Sequence, residues 1–265
     1  MTNITVTLDE IEKQTTSALT GHGATLWIAQ EVAKAVKLAE AEDNKVCGLY
    51  YLESYCKQLD SGRVDGQIDP EITLPKSGCV FVDAKYGFAQ AAFSVGIDSA
   101  IESVKKNGIC LFAIAHSHTC TSLGYFTSQI AKRGFLGIGT TNAPACVSPP
   151  NGNKPILGTN PISMSVPSAD KNIAFQFDQS TSAIAIGKIR IAAANGESIP
   201  EGWAVDKDGN PTTNADKALE GSILSSGGYK GYGFGLMAEV MAAALTGSVS
   251  SMHATPLKTV DDEPH

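Results

Sequence analysis

Hydrophobic positions near the start of the chain recur with helical spacing. Two helices are predicted within 8–43, split at Gly21-His22-Gly23; in the second, Ile28, Val32, Ala35, Val36 and Ala39 share one face while Glu31, Lys34 and Lys37 fall on others. A third helix is expected over 49–59, closing on the polar run Asp60-Ser61-Gly62-Arg63, and Pro70 and Pro75 read as an irregular connector. From Cys79 the rhythm changes. Apolar strands at 79–82 and 109–114 alternate with helices at 87–106 and 123–132, the pattern of a layered α/β sheet. Further strands are predicted at 137–140, 162–166 and 173–177, a polar loop at 196–211, and an Ala/Met-rich helix at 232–245 opened by Gly231-Tyr232-Gly233. The expected organisation is a helical lobe over 1–75, joined by a C-terminal helix of about 232–265, and a mixed-sheet domain over 76–231.

Composition narrows the partners. The 265 residues carry 20 Lys+Arg against 27 Asp+Glu, a net charge of −7 that disfavours nucleic acid and anionic membrane surfaces. With 43% hydrophobic and 18% charged residues the chain is globular, and its length allows one large core or two packed lobes. The six cysteines are scattered without a C-x-x-C pair, which fits a reduced cytoplasmic protein rather than a disulfide framework. The N-terminal residues form neither a basic nor an apolar leader, and no run of 18 apolar residues occurs. A cytoplasmic protein without a membrane span is expected.

Four clusters carry candidate chemistry. The first, Ala115-His116-Ser117-His118-Thr119-Cys120-Thr121-Ser122-Leu123-Gly124, lies between an apolar strand and a helix, where free backbone N–H groups favour anionic ligands. Were the strand to persist, His116, His118 and Cys120 would share a face in an H-x-H-x-C pattern open to zinc; no second ligand cluster supports this, and no metal is expected. The plainer alternative has one histidine capping the following helix and the other packing in the core. The second cluster, Leu157-Gly158-Thr159-Asn160-Pro161, offers short rigid hydrogen-bonding groups. The third, Asp178-Gln179-Ser180-Thr181-Ser182, follows a strand and either bonds ribose or amide groups or caps a helix start. The fourth, Ser225-Ser226-Gly227-Gly228-Tyr229-Lys230-Gly231, is a glycine-rich loop with one lysine opening a helix, suited to phosphate yet neither a Walker A loop nor G-x-G-x-x-G.

Taken in order with Asp83-Ala84-Lys85-Tyr86-Gly87, Ile199-Pro200-Glu201-Gly202-Trp203-Ala204-Val205-Asp206 and Pro211-Thr212-Thr213, these clusters resemble the malate/L-lactate dehydrogenase family of the non-Rossmann type along essentially the whole chain. That family includes sulfolactate, malate, ureidoglycolate and diketogulonate oxidoreductases and Δ1-piperideine-2-carboxylate reductases. The resemblance implies an α/β fold with a mixed sheet flanked by helices, a helical N-terminal lobe, NAD or NADP as cofactor, a small carboxylate substrate and a homodimer. It places the cofactor along His118, Thr119, Cys120, Thr121 and Ser122, at Asp178, Gln179 and Ser180, and at Lys230, with Thr159 facing the substrate carboxylate.

The departures from the family concern the acid and the clamp. Family members carry Ser-His-Gly and then an arginine four residues after the histidine; here the stretch is Val46-Cys47-Gly48-Leu49-Tyr50-Tyr51, so the catalytic and substrate positions become Cys47 and Tyr51. The acidic residue that orients the histidine in many members becomes Lys188. A thiol matches neutral pH less well than imidazole, and tyrosine does not neutralise a carboxylate as guanidinium does. The resemblance makes His118 the leading candidate acid, because some family members place a catalytic histidine in that turn; Cys47 and Lys188 are the further catalytic candidates, Lys188 as the replacement cation or the acid, and Tyr51 is a hydrogen-bond donor to substrate. Each also reads as a structural residue: Cys47 buried and small, Tyr51 packing a helix, Lys188 solvated at a strand end. Two functions follow: an NAD(P)H-dependent oxidoreductase of a small 2-oxo or 2-hydroxy acid or a cyclic imine carboxylate, or a cofactor-binding paralogue without turnover. Against the family the chain is roughly a fifth short at its C-terminal end.

Overall fold

A computed structural model describes residues 5–118, 121–256 and 260. Helices α1 (Leu8–Gly21), α2 (Leu26–Ala41) and α3 (Leu52–Asp60) form the N-terminal lobe, with two 3₁₀ turns, Lys45–Cys47 and Leu49–Tyr51, before α3. The break between α1 and α2 falls at the expected Gly21-His22-Gly23, and Thr7 opens α1 by accepting a hydrogen bond from Glu10 N at 3.1 Å. Leu19, Ile28, Val32, Val36, Tyr55 and Phe88 make the core of this lobe.

Strands β1 (Glu71–Lys76), β2 (Cys79–Asp83) and β3 (Leu111–Ala115) form a sheet in that order, with α4 (Ala89–Asn107) between β2 and β3 and α5 (Gly124–Ala131) after β3. β1 pairs antiparallel with β2 at the sheet edge, so the segment expected as a connector is a strand. Pro75 misled that expectation; an edge strand has a side on which a missing N–H costs no ladder bond. β2 and β3 are parallel, with Asp83 opposite Ala115. Val80 and Val82 pack with Ala92 and Ala100 of α4 in an apolar layer.

The second part holds β4 (Gly137–Thr140), β5 (Ile162–Pro167) and β6 (Ile173–Gln179) in one three-stranded sheet, ordered as in sequence. After it come α6 (Ile186–Asn195), β7 (Ala204–Val205), β8 (Pro211–Thr212), α7 (Ala215–Glu220), β9 (Ser222–Ile223) and α8 (Tyr229–Glu239), which runs on as a π-helical turn, Val240–Ala244. The expected polar loop of 196–211 thus contains β7 and the start of β8, and β7 lies between β8 and β9. Val147, Leu157, Ile189, Ile199, Ala204 and Ile223 form this part's core.

The described residues divide into one compact unit drawn from 5–135, 167–173 and 255–260 and another of 136–166 and 174–254. The sheet β1-β2-β3 groups with the helical lobe because Phe88 and Ala91 enter the same cluster as Ile28 and Val32. No helix among the described residues is long and apolar enough to cross a membrane.

Candidate functional site

In the first unit, the turn after β3 splits the two histidines. The strand stops at Ala115, and His116 takes a left-handed backbone conformation, φ 49°. The alternation that would have put His116, His118 and Cys120 on one face is therefore lost. His116 Nδ1 instead lies 3.0 Å from Asp83 Oδ1 at the end of β2. Partial burial works to raise the Asp83 carboxyl, but the Lys85 N–H and the His116 ring outweigh it and hold Asp83 below its ordinary value.

His118 is 5% exposed. Its backbone N donates to Gly87 O and its carbonyl accepts from Ala89 N, which stitches the turn to the start of α4. Its ring stands edge-on to Tyr55 at 6.0 Å and to Phe88 at 5.8 Å. Neither histidine caps α5, whose N-terminus has no side-chain cap. Thr121 is half-buried with φ 55° and Ser122 is buried; Thr119 and Cys120 lie outside the described residues. Among the described residues no group of three or more His, Cys, Asp or Glu side chains is placed to hold a metal ion.

The substituted stretch of the helical lobe joins this cluster. Cys47 ends the first 3₁₀ turn half-buried rather than fully buried, and Leu49 N donates to Glu40 Oε1 at 2.7 Å. Tyr51 stacks on Tyr55 at 6.3 Å and meets Tyr50 edge-on at 5.1 Å. Tyr55 thereby links Tyr51 to His118. Sequence reasoning did not single out Tyr55 or Phe88; their signal was helical periodicity alone, which marks core and does not mark a site.

In the second unit, Thr159 is half-buried and its carbonyl accepts from Thr181 N at 2.9 Å and Thr181 Oγ1 at 3.1 Å. Asn160 is fully buried at φ 34°; its Nδ2 donates to Glu239 Oε2 at 2.8 Å and Gly235 O at 3.1 Å, and its Oδ1 accepts from Ala143 N at 3.1 Å. Ser251 N donates to Glu239 Oε1 at 2.6 Å, so one carboxylate ties the Thr159 loop to α8 and to the segment beyond it. Glycine is required at 158, where a Cβ would stand 2.1 Å from Ala143 O.

Asp178 and Gln179 finish β6 exposed, and Ser180 begins the turn that follows. No helix starts there, so the helix-cap alternative falls: α6 begins at Ile186. Lys188 is correspondingly not at a strand end. It is the third residue of α6, exposed, because the Ile189 and Ala192 face turns inward. Lys230 is the second residue of α8 and exposed.

The glycine-rich loop has the build of a ligand cradle. Gly228 begins α8 without a side-chain cap, Ser225 Oγ donates to Gly228 O at 2.7 Å, and a Cβ on Gly231 would stand 1.8 Å from Ser226 O. Beside the loop is a cavity of about 400 Å³ lined by Ser148, Ala183, Trp203, Leu224 and residues 225–228. Ser148 Oγ is buried without a hydrogen-bond partner among the described residues. An uncapped helix start, a glycine cradle and an orphaned hydroxyl fit a phosphate-bearing cofactor, since helix N–H groups and the macrodipole favour anions.

The malate/L-lactate dehydrogenase profile matches residues 6–265. The chain belongs to this family. It is 34% identical over 251 residues to Delta(1)-pyrroline-2-carboxylate reductase 1 of Burkholderia ambifaria, covering 95% of this chain and 74% of that protein. It is 35% identical over 243 residues to the (2R)-3-sulfolactate dehydrogenase (NADP(+)) of Chromohalobacter salexigens, covering 92% of this chain and 72% of that one. The Δ1-piperideine-2-carboxylate reductase structure from Pseudomonas syringae superposes with a TM-score of 0.92 at 31% identity, covering 97% of this chain and 79% of that one. The Methanocaldococcus jannaschii sulfolactate dehydrogenase gives 0.89 at 29% identity, covering 98% and 75%. This family member is an NAD(P)-dependent oxidoreductase with the family's mixed α/β fold, as the ordered motifs implied.

Proposed function

We propose that this chain interconverts a small 2-oxo acid and its 2-hydroxy acid, or reduces a cyclic imine carboxylate. The observation that carries this reading is the glycine-rich loop at the uncapped start of α8, beside a cavity that Ser148 helps to line and with the buried Ser148 hydroxyl lacking a partner among the described residues. Lys230 offers an ammonium to phosphate, Asp178, Gln179 and Ser180 offer acceptors and donors for ribose or amide groups, and the segment of His118, Thr119, Cys120, Thr121 and Ser122 supplies further contacts. When bound, the nicotinamide supplies or accepts a hydride.

Thr159 would face the substrate carboxylate, and the Tyr51 hydroxyl would give it one neutral hydrogen bond where relatives resembling this sequence carry a guanidinium. A neutral donor holds a carboxylate more weakly than a bidentate arginine, so a high KM for the acid is expected. Of the expected proton donors, Lys188 is exposed on the first turn of α6, where the helix dipole disfavours a cation; Cys47 is a thiol; and His118 is enclosed by Tyr55 and Phe88. The protein is read as cytoplasmic, since Cys47, Cys56, Cys79, Cys110 and Cys146 form no disulfide among the described residues. It is also read as a homodimer, because α8 presents apolar side chains nearly all round, with Tyr229 70%, Phe234 56% and Met237 42% exposed.

The replaced Ser-His and Arg positions, here Val46, Cys47 and Tyr51, favour the second reading, a cofactor-binding paralogue without turnover. Fluorescence titration with NADH and NADPH, followed by assays on a panel of keto acids and cyclic imines across pH, separates the two. Binding with turnover supports the oxidoreductase; binding without turnover of any substrate leaves the paralogue.

A further inference from the structure

We propose that His116, oriented by Asp83, delivers the proton to the substrate heteroatom in this protein; the assignment rests on the oxidoreductase reading. The pair is built by the sheet. β2 and β3 run parallel with Asp83 opposite Ala115, and the two chains stay zipped past the strand ends through Ala84 N to Ala115 O at 3.0 Å and Tyr86 N to His116 O at 2.7 Å. Carboxyl ends of parallel strands are where open α/β sheets present ligand-binding groups.

One carboxylate oxygen organises the turn. Asp83 Oδ1 accepts from Lys85 N at 2.8 Å and meets His116 Nδ1 at 3.0 Å. His116, Lys85 and Tyr86 all hold left-handed backbone conformations, with φ of 49°, 50° and 65°. Non-glycine residues reach that region at an energetic cost, and three together mark a turn whose shape the surroundings impose. The result is a histidine with Nδ1–H committed to a carboxylate and Nε2 left as the exchanging nitrogen.

Both side chains are 35% exposed, so solvent or a small substrate reaches them. The Tyr86 ring leans on the imidazole at 5.5 Å, Lys85 Nζ is engaged by Glu71 at 2.9 Å, and Asp69 adds a further negative charge near Lys85. The other Asp–His pair, His22 with Asp60 at 2.8 Å, stands at the C-terminal end of α1, remote in sequence from the parallel strand ends. It serves as an internal control.

The step balances. As hydride from the reduced nicotinamide adds to the C=O or C=N carbon, the π electron pair moves to the heteroatom, which takes the Nε2 proton of the His116 imidazolium. The imidazole is left neutral and regains its proton from water. Asp83 stabilises the imidazolium before transfer. This places the acid on a different residue from the histidine that the family carries in its helical lobe, and it accounts for the tolerance of cysteine at position 47.

His116→Asn is the decisive variant, because asparagine tolerates a left-handed φ and its side chain still reaches Asp83 as a donor, which preserves the turn. In the active protein it should lose on the order of 10²–10⁴-fold in kcat, with cofactor affinity changed less than about 3-fold, and His116→Ala should regain part of its rate with added imidazole. His22→Asn should leave kcat unchanged. Asp83→Ala removes the acceptor that orients the imidazole, so it should lower kcat while cofactor affinity changes less than about 3-fold. Without any turnover, the His116 Nδ1–H held by Asp83 should give a resolved, slowly exchanging proton resonance in the cofactor-free protein that is lost in Asp83→Ala. A wild-type enzyme that turns over substrate while His116→Asn keeps its kcat within about 3-fold overturns this assignment alone. Absence of turnover in the wild type overturns the oxidoreductase reading and this assignment with it.

Discussion

Gly158 shows how a single position controls the loop next to it. A methyl group there would meet the Ala143 carbonyl carbon at 2.5 Å and the Asn160 side chain at 2.7 Å, neither of which retreats without moving Thr159. Gly158→Ala should therefore cost about 1–3 kcal/mol, read as a lowered thermal midpoint, and should raise KM for the acid more than it weakens cofactor binding. Burial pushes the Cys146 thiol up to about 12, so it stays protonated at neutral pH. It should be slow to react with a disulfide reagent in the native protein and fast after denaturation; rapid native labelling would contradict its packing. At Asp83 the sign runs the other way. Its lowered carboxyl contributes stability above the ordinary aspartate range and loses it as pH falls through the lower folded value, so wild type and Asp83→Asn should converge in thermal midpoint only in strong acid.

Among the elements, those with a clear period were legible. α1, α2, α4 and α5 fall within a few residues of expectation because each has an apolar face and a break residue at its end, such as Gly108 in the left-handed conformation after α4. β1 was hidden by Pro75, and α6 by its short Ala-rich sequence, in which only Ile189 and Ala192 are buried. Thr7→Ala should remove the α1 cap and cost about 1 kcal/mol in thermal unfolding. Lys230, exposed on the first turn of α8, has no packing role to lose. Lys230→Ala should weaken NAD(P)H binding about tenfold by calorimetry with an unchanged thermal midpoint; unchanged affinity would remove this lysine from the cofactor contacts.

At the scale of the whole molecule, the homodimer proposed above is tested at the surface of α8. Tyr229, Phe234, Leu236 and Met237 of α8 are exposed, as are Val240 and Leu245 just beyond it, and clustered exposed apolar side chains of this kind mark protein interfaces. Sedimentation should find a dimer, and Phe234→Glu should shift it toward monomer while leaving the secondary structure intact. A wild-type monomer at high concentration would contradict the pairing.

The ordered polar clusters between Asp83 and Lys230 carry the family likeness and the cofactor it implies, since short polar clusters at strand and helix ends are local and survive in sequence. The same motifs could not rank the two histidines. His116 and His118 are two residues apart, and their different fates arise from partners far along the chain: Asp83 on the neighbouring strand for one, Tyr55 and Phe88 for the other. Likewise, Asn160 was legible as a rigid polar residue, while Glu239 and Ser251, which hold it, were not. Periodicity and turn chemistry act over a few residues and are written in the sequence. The pairing of a carboxylate with one imidazole rather than another depends on strand register and on side chains brought together across 33 positions, and that is a property of the folded chain.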